Sequence, residues 1–292
     1  MSYLVGVTLL WAFSFSLIGV YLAGQVDAYF AVLLRVALAL LVFLPFMRQL
    51  PWQLACKLSA LGAVQLGLMY LFYYQSFILL TVPEVLIFTI FTPVYITLLY
   101  DALQRRFQYR FLLAALLAVI AAALMRYKGL TEEYWLGFAV VQGANLCFAI
   151  GQVGYKVLLA RQPVKLAQHQ LFGWFYLGAL VVVLPAWLLL GSAQYPQHNT
   201  QWAVLLWLGL VASGGGYYWW NKGATLVSSG MLAVMNNMLI PAGLLVNILL
   251  WNRNENLLTL ATGSVLLVLS CMLCKPVRSA VKPAGVADGQ KN

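Results

Sequence analysis

Apolar residues run along this chain in long stretches, broken at short intervals by Pro, Gly and charged positions. Ten stretches are long enough to cross a ~30 Å hydrocarbon layer as helices: 3–22, 28–47, 58–79, 83–101, 109–126, 135–158, 168–190, 202–220, 231–251 and 257–274. The pattern predicts an all-α, polytopic membrane bundle of ten transmembrane helices. One stretch carries a polar stripe. In WLGFAVVQGANLCFAIGQVGYKVL, Trp135 to Leu158, the residues Gln142, Asn145, Gln152 and Lys156 recur at the spacing of one helical face, with Gly143, Ala149, Gly151 and Gly154 beside them. Amides facing lipid would leave donors and acceptors unpaired, so this face turns toward protein or a polar cavity. Any one amide can simply bond a neighbouring helix; four on one face predict a cavity.

Composition agrees with the pattern. Of 292 residues, 63% are hydrophobic and 8% charged, and the mean hydropathy is +0.88, which excludes an ordinary soluble domain. The net charge of +10 is spread over short connections and the tail, so nucleic acid is not an expected partner; the lipid bilayer is. With the N-terminus cytoplasmic, 13 Lys and Arg fall on the inner side against three outside, Arg126, Lys128 and Arg253. The positive-inside rule then puts both ends in the cytoplasm. Residues 276–292, rich in Gly, Ala, Pro and Lys, read as a disordered cytoplasmic tail. The N-terminus lacks the features of a cleaved signal peptide. Cys56, Cys147, Cys271 and Cys274 have no His nearby and no second Cys-x-x-Cys, so neither a metal nor a cofactor is expected.

Within the spans, several residues suit a small-molecule site. Trp11, in WAFSFS, lies far from either end of span 1. Arg35 sits about 12 Å along its helix from Asp27, a good N-cap, and a cation at that depth either binds an anion or pairs structurally. Tyr70, Tyr73, Tyr74 and Gln75 combine flat faces with hydrogen-bonding ends. Glu84 suits the first turn of a helix. Phe88, Phe91, Thr92 and Tyr95 surround Pro93, where a helix can break. Asn236 and Asn237 precede a second such proline, Pro241. Trp219, Trp220 and their neighbours are either interface anchors or cavity wall, and Lys222 is a further cation near them.

The chain also repeats itself. Gly216 to Trp251 restates Leu71 to Leu103 at an offset of 148, setting Pro241 on Pro93, and VLPA at Val183 to Ala186 restates FLPF at Phe43 to Phe46 at an offset of 140. Five spans therefore occur twice, and an odd number per repeat inverts the second half. The expected halves are 1–128 and 129–275.

WAFSF in span 1, the Arg of span 2, and the Tyr-rich hairpin to Pro93 repeated at Asn221 to Pro241 resemble the EamA-type drug/metabolite transporter superfamily. The strings LLWAFSFS, FAIGQVGYK, FGWFYLGA and MLAVMNNMLIPAGLLVN are similar to the enterobacterial biotin importers of its carboxylate/amino acid/amine branch. The resemblance implies secondary transport of biotin across the bacterial inner membrane by alternating access. It also implies a central cavity lined by spans 1, 3, 4, 6, 8 and 9, which here carry Trp11, Tyr73, Tyr74, Phe91, Tyr95, Gln142, Asn145, Trp219 and Asn237. Arg35 would attract the substrate carboxylate. Moving that anion inward requires a cation or proton in compensation, so proton or ion coupling enters the expectation. No P-loop is present to use ATP directly. An exporter of amino acids or amphipathic drugs is the alternative within transport. A membrane enzyme or lipid-handling protein is disfavoured, because the two His and seven acids show no catalytic spacing.

Overall fold

The computed structural model describes residues 1–125, 132–162, 167–251 and 257–274, and no strand occurs among them. The expected boundary at 128/129 and the tail 276–292 lie outside these residues. Seven helical runs are long and apolar enough to cross a membrane: Ser2–Leu22, Ala28–Phe46, Trp52–Leu79, Glu84–Gln104, Tyr134–Ala160, Gln168–Leu190 and Ser229–Leu250. The other three expected spans fall on helical runs too, with the apolar stretches Tyr109–Ile120 and Ala261–Ser270 shorter than a full crossing.

Helix α1 (Ser2–Leu17) continues into a π-helical turn, Ile18–Leu22. Helix α2 (Ala28–Phe43) starts at Asp27, whose Oδ1 accepts from Phe30 N at 2.7 Å. Its Oδ2 accepts from the backbone and hydroxyl of Ser192, so the cap also pins a distant loop. Helices α3 (Trp52–Gly62) and α4 (Met69–Leu79) are joined by π-helical Ala63–Leu68. Helices α5 (Val82–Phe88) and α6 (Thr92–Gln104) are joined by a 3-10 turn, Thr89–Phe91, immediately before Pro93. The break follows from proline chemistry, since Pro93 has no N–H and its ring crowds the preceding turn. Glu84 accepts from both the backbone and hydroxyl of Thr81 at 2.8 Å, as a first-turn carboxylate should.

The remaining helices are α7 (Tyr109–Met125), α8 (Glu132–Ala160), α9 (Gln168–Leu190), α10 (Asn199–Trp207), α11 (Gly216–Thr225), α12 (Ser229–Asn237), α13 (Leu239–Trp251) and α14 (Leu257–Leu273). A third π-helical segment, Leu208–Gly215, links α10 to α11. Helix α2 packs on α9, α7 on α14, α4 on α8, α1 on α11, α6 on α8 and α1 on α13. The helices α3 and α9 cross in close backbone contact. A Cβ added at Gly62 would fall on the backbone carbonyl of Phe175, and one at Gly178 on that of Ser59. Only glycine lets backbones meet at this separation, which is how helices associate where lipid offers no hydrophobic drive. This framework holds α2, α4, α8 and Leu208–Gly215 around the centre of the bundle.

Candidate functional site

Arg35 is the centre of the candidate site. Its position on α2 faces α4 and the π-helical segment, and the residue is 3% exposed. Nε donates to Ser213 Oγ, and the two terminal nitrogens to Tyr74 Oη and Tyr70 Oη, each at 3.1 Å. The guanidinium carbon lies 4.4 Å from the Tyr70 ring centroid and 5.7 Å from that of Tyr74. Tyr70 Oη also shares a 2.7 Å hydrogen bond with Ser213 Oγ. Every one of these partners is a neutral hydroxyl. A guanidinium has five N–H groups; three are used here, and no carboxylate pairs with the other two among the described residues.

The local helix geometry explains the arrangement. Tyr70 and Tyr74 are four apart on α4 and therefore point the same way. The π-helical segment turns Ser213 Oγ toward Arg35 while its own carbonyl accepts from Tyr176 Oη at 2.6 Å. The preceding carbonyl, Ala212 O, accepts from Trp11 Nε1 at 3.0 Å.

A cavity of about 50 Å³ opens beside the guanidinium, lined among others by Trp11, Arg35, Tyr73, Tyr74, Phe77 and Tyr217. That is well below the ~300–1,000 Å³ typical of ligand pockets, so a ligand of ordinary small-molecule size requires the walls to part. On one side, Trp11 packs on Tyr217 and Trp220 with ring centroids 4.6 and 5.0 Å away, and Phe148 completes the cluster. On another side, Tyr73 Oη donates to Asn145 Oδ1 at 3.3 Å, and Tyr95 Oη to Gln142 Oε1 at 3.1 Å. Both amides donate to Phe88 O at the break between α5 and α6, at 3.0 Å from Gln142 and 2.8 Å from Asn145. Asn237 Nδ2 donates to Ile90 O of the same break.

The structure thus gathers Trp11, Arg35, Tyr73 and Tyr74 on one cavity and places Gln142, Asn145 and Tyr95 behind it. The expected single stripe on α8 is divided. Gln152 bonds Trp220 and Asn236 one layer further on, and Lys156 bonds Ala224 O and Val227 O beyond that. Asn237 ties down backbone freed at the break. Phe91 packs edge-on to Phe138, away from Arg35. Trp219 is 45% exposed on the outer surface, because Tyr217 and Trp220 hold the inward face of α11. Lys222 stands over the rings of Tyr3 and Tyr218 at the N-terminal end of the bundle, not at the cavity. Tyr70, Phe148, Ser213 and Tyr217 complete the site. The i, i+4 pairing of Tyr70 with Tyr74 signalled the first of these; nothing in the local pattern marks Ser213, whose direction depends on the π-helical geometry.

A scan against protein-family models finds no match for the chain. The chain is 52% identical over 288 residues to a protein of Pseudomonas aeruginosa named as a probable biotin transporter, covering 97% of this chain and all of the relative. It is 50% identical over 274 residues to proteins named biotin transporter in Salmonella typhimurium and Escherichia coli K12, covering 92% of this chain and 91% of each. In fold it is similar to a solved structure described only as the crystal structure of a protein, with a TM-score of 0.74 over 93% of this chain and 95% of that one. At 17% identity that likeness extends to the fold alone.

Proposed function

The chain belongs to the biotin transporter family, and on that premise we propose that it imports biotin across the bacterial inner membrane by alternating access around Arg35. The observation that carries this reading is a buried guanidinium, held only by neutral hydroxyls, in a central cavity. Its two remaining N–H groups suit a carboxylate, which accepts a planar fork of donors at full charge. The rings of Trp11, Phe148 and Tyr217 suit the thiophane and alkyl chain of biotin. The amide and phenol groups of Asn145, Gln142, Tyr73 and Tyr95 suit its ureido edge.

The architecture proposed with this function is ten spans in two inverted five-helix repeats of the EamA-type drug/metabolite transporter kind. Pairwise packing supports it: α4 on α8 corresponds to α11 on α1, α6 on α8 to α13 on α1, and α2 and α9 meet as counterparts. The π-helical segments Ala63–Leu68 and Leu208–Gly215 overlap when shifted by 148. Tyr217 Oη meets Met69 Sδ, and these two residues are themselves 148 apart, as contacts on a pseudo-two-fold axis must be. Lys and Arg placement supports cytoplasmic ends. Uphill uptake would be coupled to protons or another ion.

Labelled biotin and its neutral amide, supplied to cells lacking biotin synthesis and their own carrier, test the reading. Arg35→Ala should weaken biotin uptake about 10- to 100-fold, the range for a charge-assisted hydrogen bond, and Arg35→Lys should restore only part of it. The preference for biotin over the amide should shrink in Arg35→Ala. An unchanged preference, with the variant present in the membrane at normal abundance, would remove Arg35 from the carboxylate site.

A further inference from the structure

A second cavity, of about 430 Å³, lies at the N-terminal end of the bundle, lined by Tyr100, Gln104, Lys156, Gln162, Gln168 and Thr225 among others. It is separate from the cavity at Arg35. Along α8, Phe148 belongs to the central cavity and Lys156 to this one, eight residues or ~12 Å further on. Between them, Gln152 Oε1 accepts from Trp220 Nε1 at 2.9 Å, and Gln152 Nε2 donates to Asn236 Oδ1 at 3.3 Å. With Trp11 packed on Trp220, this layer closes the passage between the two spaces.

Lys156 is half-buried in the wall of the second cavity. Its ammonium donates to Ala224 O at 2.9 Å and Val227 O at 2.6 Å, the carbonyls around the end of α11. An ammonium has three donors. Among the described residues the third has no hydrogen-bond acceptor and no carboxylate neutralises the charge; the Tyr100 ring centroid lies 6.0 Å away. The other polar lining groups are amides, a phenol and a hydroxyl, with Val157, Leu159, Ala160 and Leu226 between them, so among the described residues the cavity offers one cation beside neutral hydrogen-bonding and apolar groups, in a volume of ligand size.

We propose that this cavity is a second, cytoplasm-facing anion site, in which Lys156 takes the carboxylate of the transported molecule after it passes the Gln152–Trp220–Asn236 layer. The inference rests on the biotin-import reading and on cytoplasmic ends. Arg35 holds the anion from the outer side; Lys156 offers a partner beyond the gate, so the charge is not stranded as the central site opens inward.

The test uses the full-length protein in sealed membrane vesicles of both orientations, measuring exchange of labelled biotin and labelled biotin amide from each face. Lys156→Gln keeps two amide donors for Ala224 O and Val227 O but removes the charge. The expected result is a half-saturation concentration for biotin about tenfold higher at the cytoplasmic face, unchanged at the outer face, and unchanged for the amide at either face. Lys156→Arg should stay near wild type. Equal effects on biotin and amide, or on both faces, would make Lys156 a structural helix-end cation and overturn the proposal. Should Lys156→Gln fail to accumulate, Arg35→Ala decides. It must still prefer biotin over the amide at the cytoplasmic face, and equal half-saturation there overturns the site. Failure of the wild type to exchange biotin at all would sink the import reading, and this inference with it, whereas normal exchange insensitive to Lys156→Gln sinks the inference alone.

Discussion

At the scale of single residues, the site is a set of exchanges between buried polar groups. Asn145 is fully buried, receives the Tyr73 hydroxyl and donates to Phe88 O and to Gln142 Oε1. Removing it strands a phenol and weakens the hold on freed backbone, and each unpaired buried group costs ~1–3 kcal/mol. Asn145→Ala should therefore lower both biotin uptake and the melting temperature of the purified protein. Gln142→Ala should melt closer to wild type, because Gln142 is only partly buried and Asn145 still holds Phe88 O. Identical melting of both variants and wild type would show that these amides do not secure the break. The sequence displayed these residues openly, since polar groups in a hydrocarbon-length run stand out. It hid their partners, because a backbone carbonyl such as Phe88 O carries no residue-type signature and is exposed only by the way two helices meet.

At the scale of elements, hydrophobic run length located the helices and Pro93 located the break between α5 and α6. The π-helical segments were not legible. Leu208–Gly215 relies on distant side chains that donate to its altered backbone, Trp11 to Ala212 O and Tyr176 to Ser213 O, residues 201 and 37 positions away. Its extra residue per turn shifts the phase of everything that follows, which is why Tyr217 and Trp220 face inward where Trp219 was expected. Glycine positions make a sharper element-scale test. Gly178→Ala sets a methyl against the Ser59 carbonyl, and rigid backbone cannot retreat, so α3 and α9 must separate. The variant should melt several degrees lower or accumulate poorly, the effect of ~1–3 kcal/mol of overpacking. Gly6→Ala, which meets nothing within 4 Å, should match wild type. Equal behaviour of the two variants would contradict the close crossing.

At the scale of the whole molecule, Arg35 is a buried cation that no carboxylate among the described residues neutralises, and the hydroxyls around it have an electrical consequence. In an alternating-access carrier the transmembrane field drops across whichever side is shut, so a charge fixed at the site crosses that field each time access switches. With the coupling ion carried on the empty return and not beside biotin, the loaded site is neutral, Arg35 against a monoanion, and the empty site keeps its positive charge. Voltage then acts on the empty return step, with up to ~2.3 kcal/mol per elementary charge per 100 mV, and leaves the loaded step alone. In liposomes without a proton gradient, biotin-for-biotin exchange, which cycles only the loaded form, should be flat against imposed voltage, while net uptake should slow as the interior is made more negative. Exchange that varies steeply with voltage would mean that another ion travels with the loaded form, or that Arg35 meets a counter-charge when the site is empty.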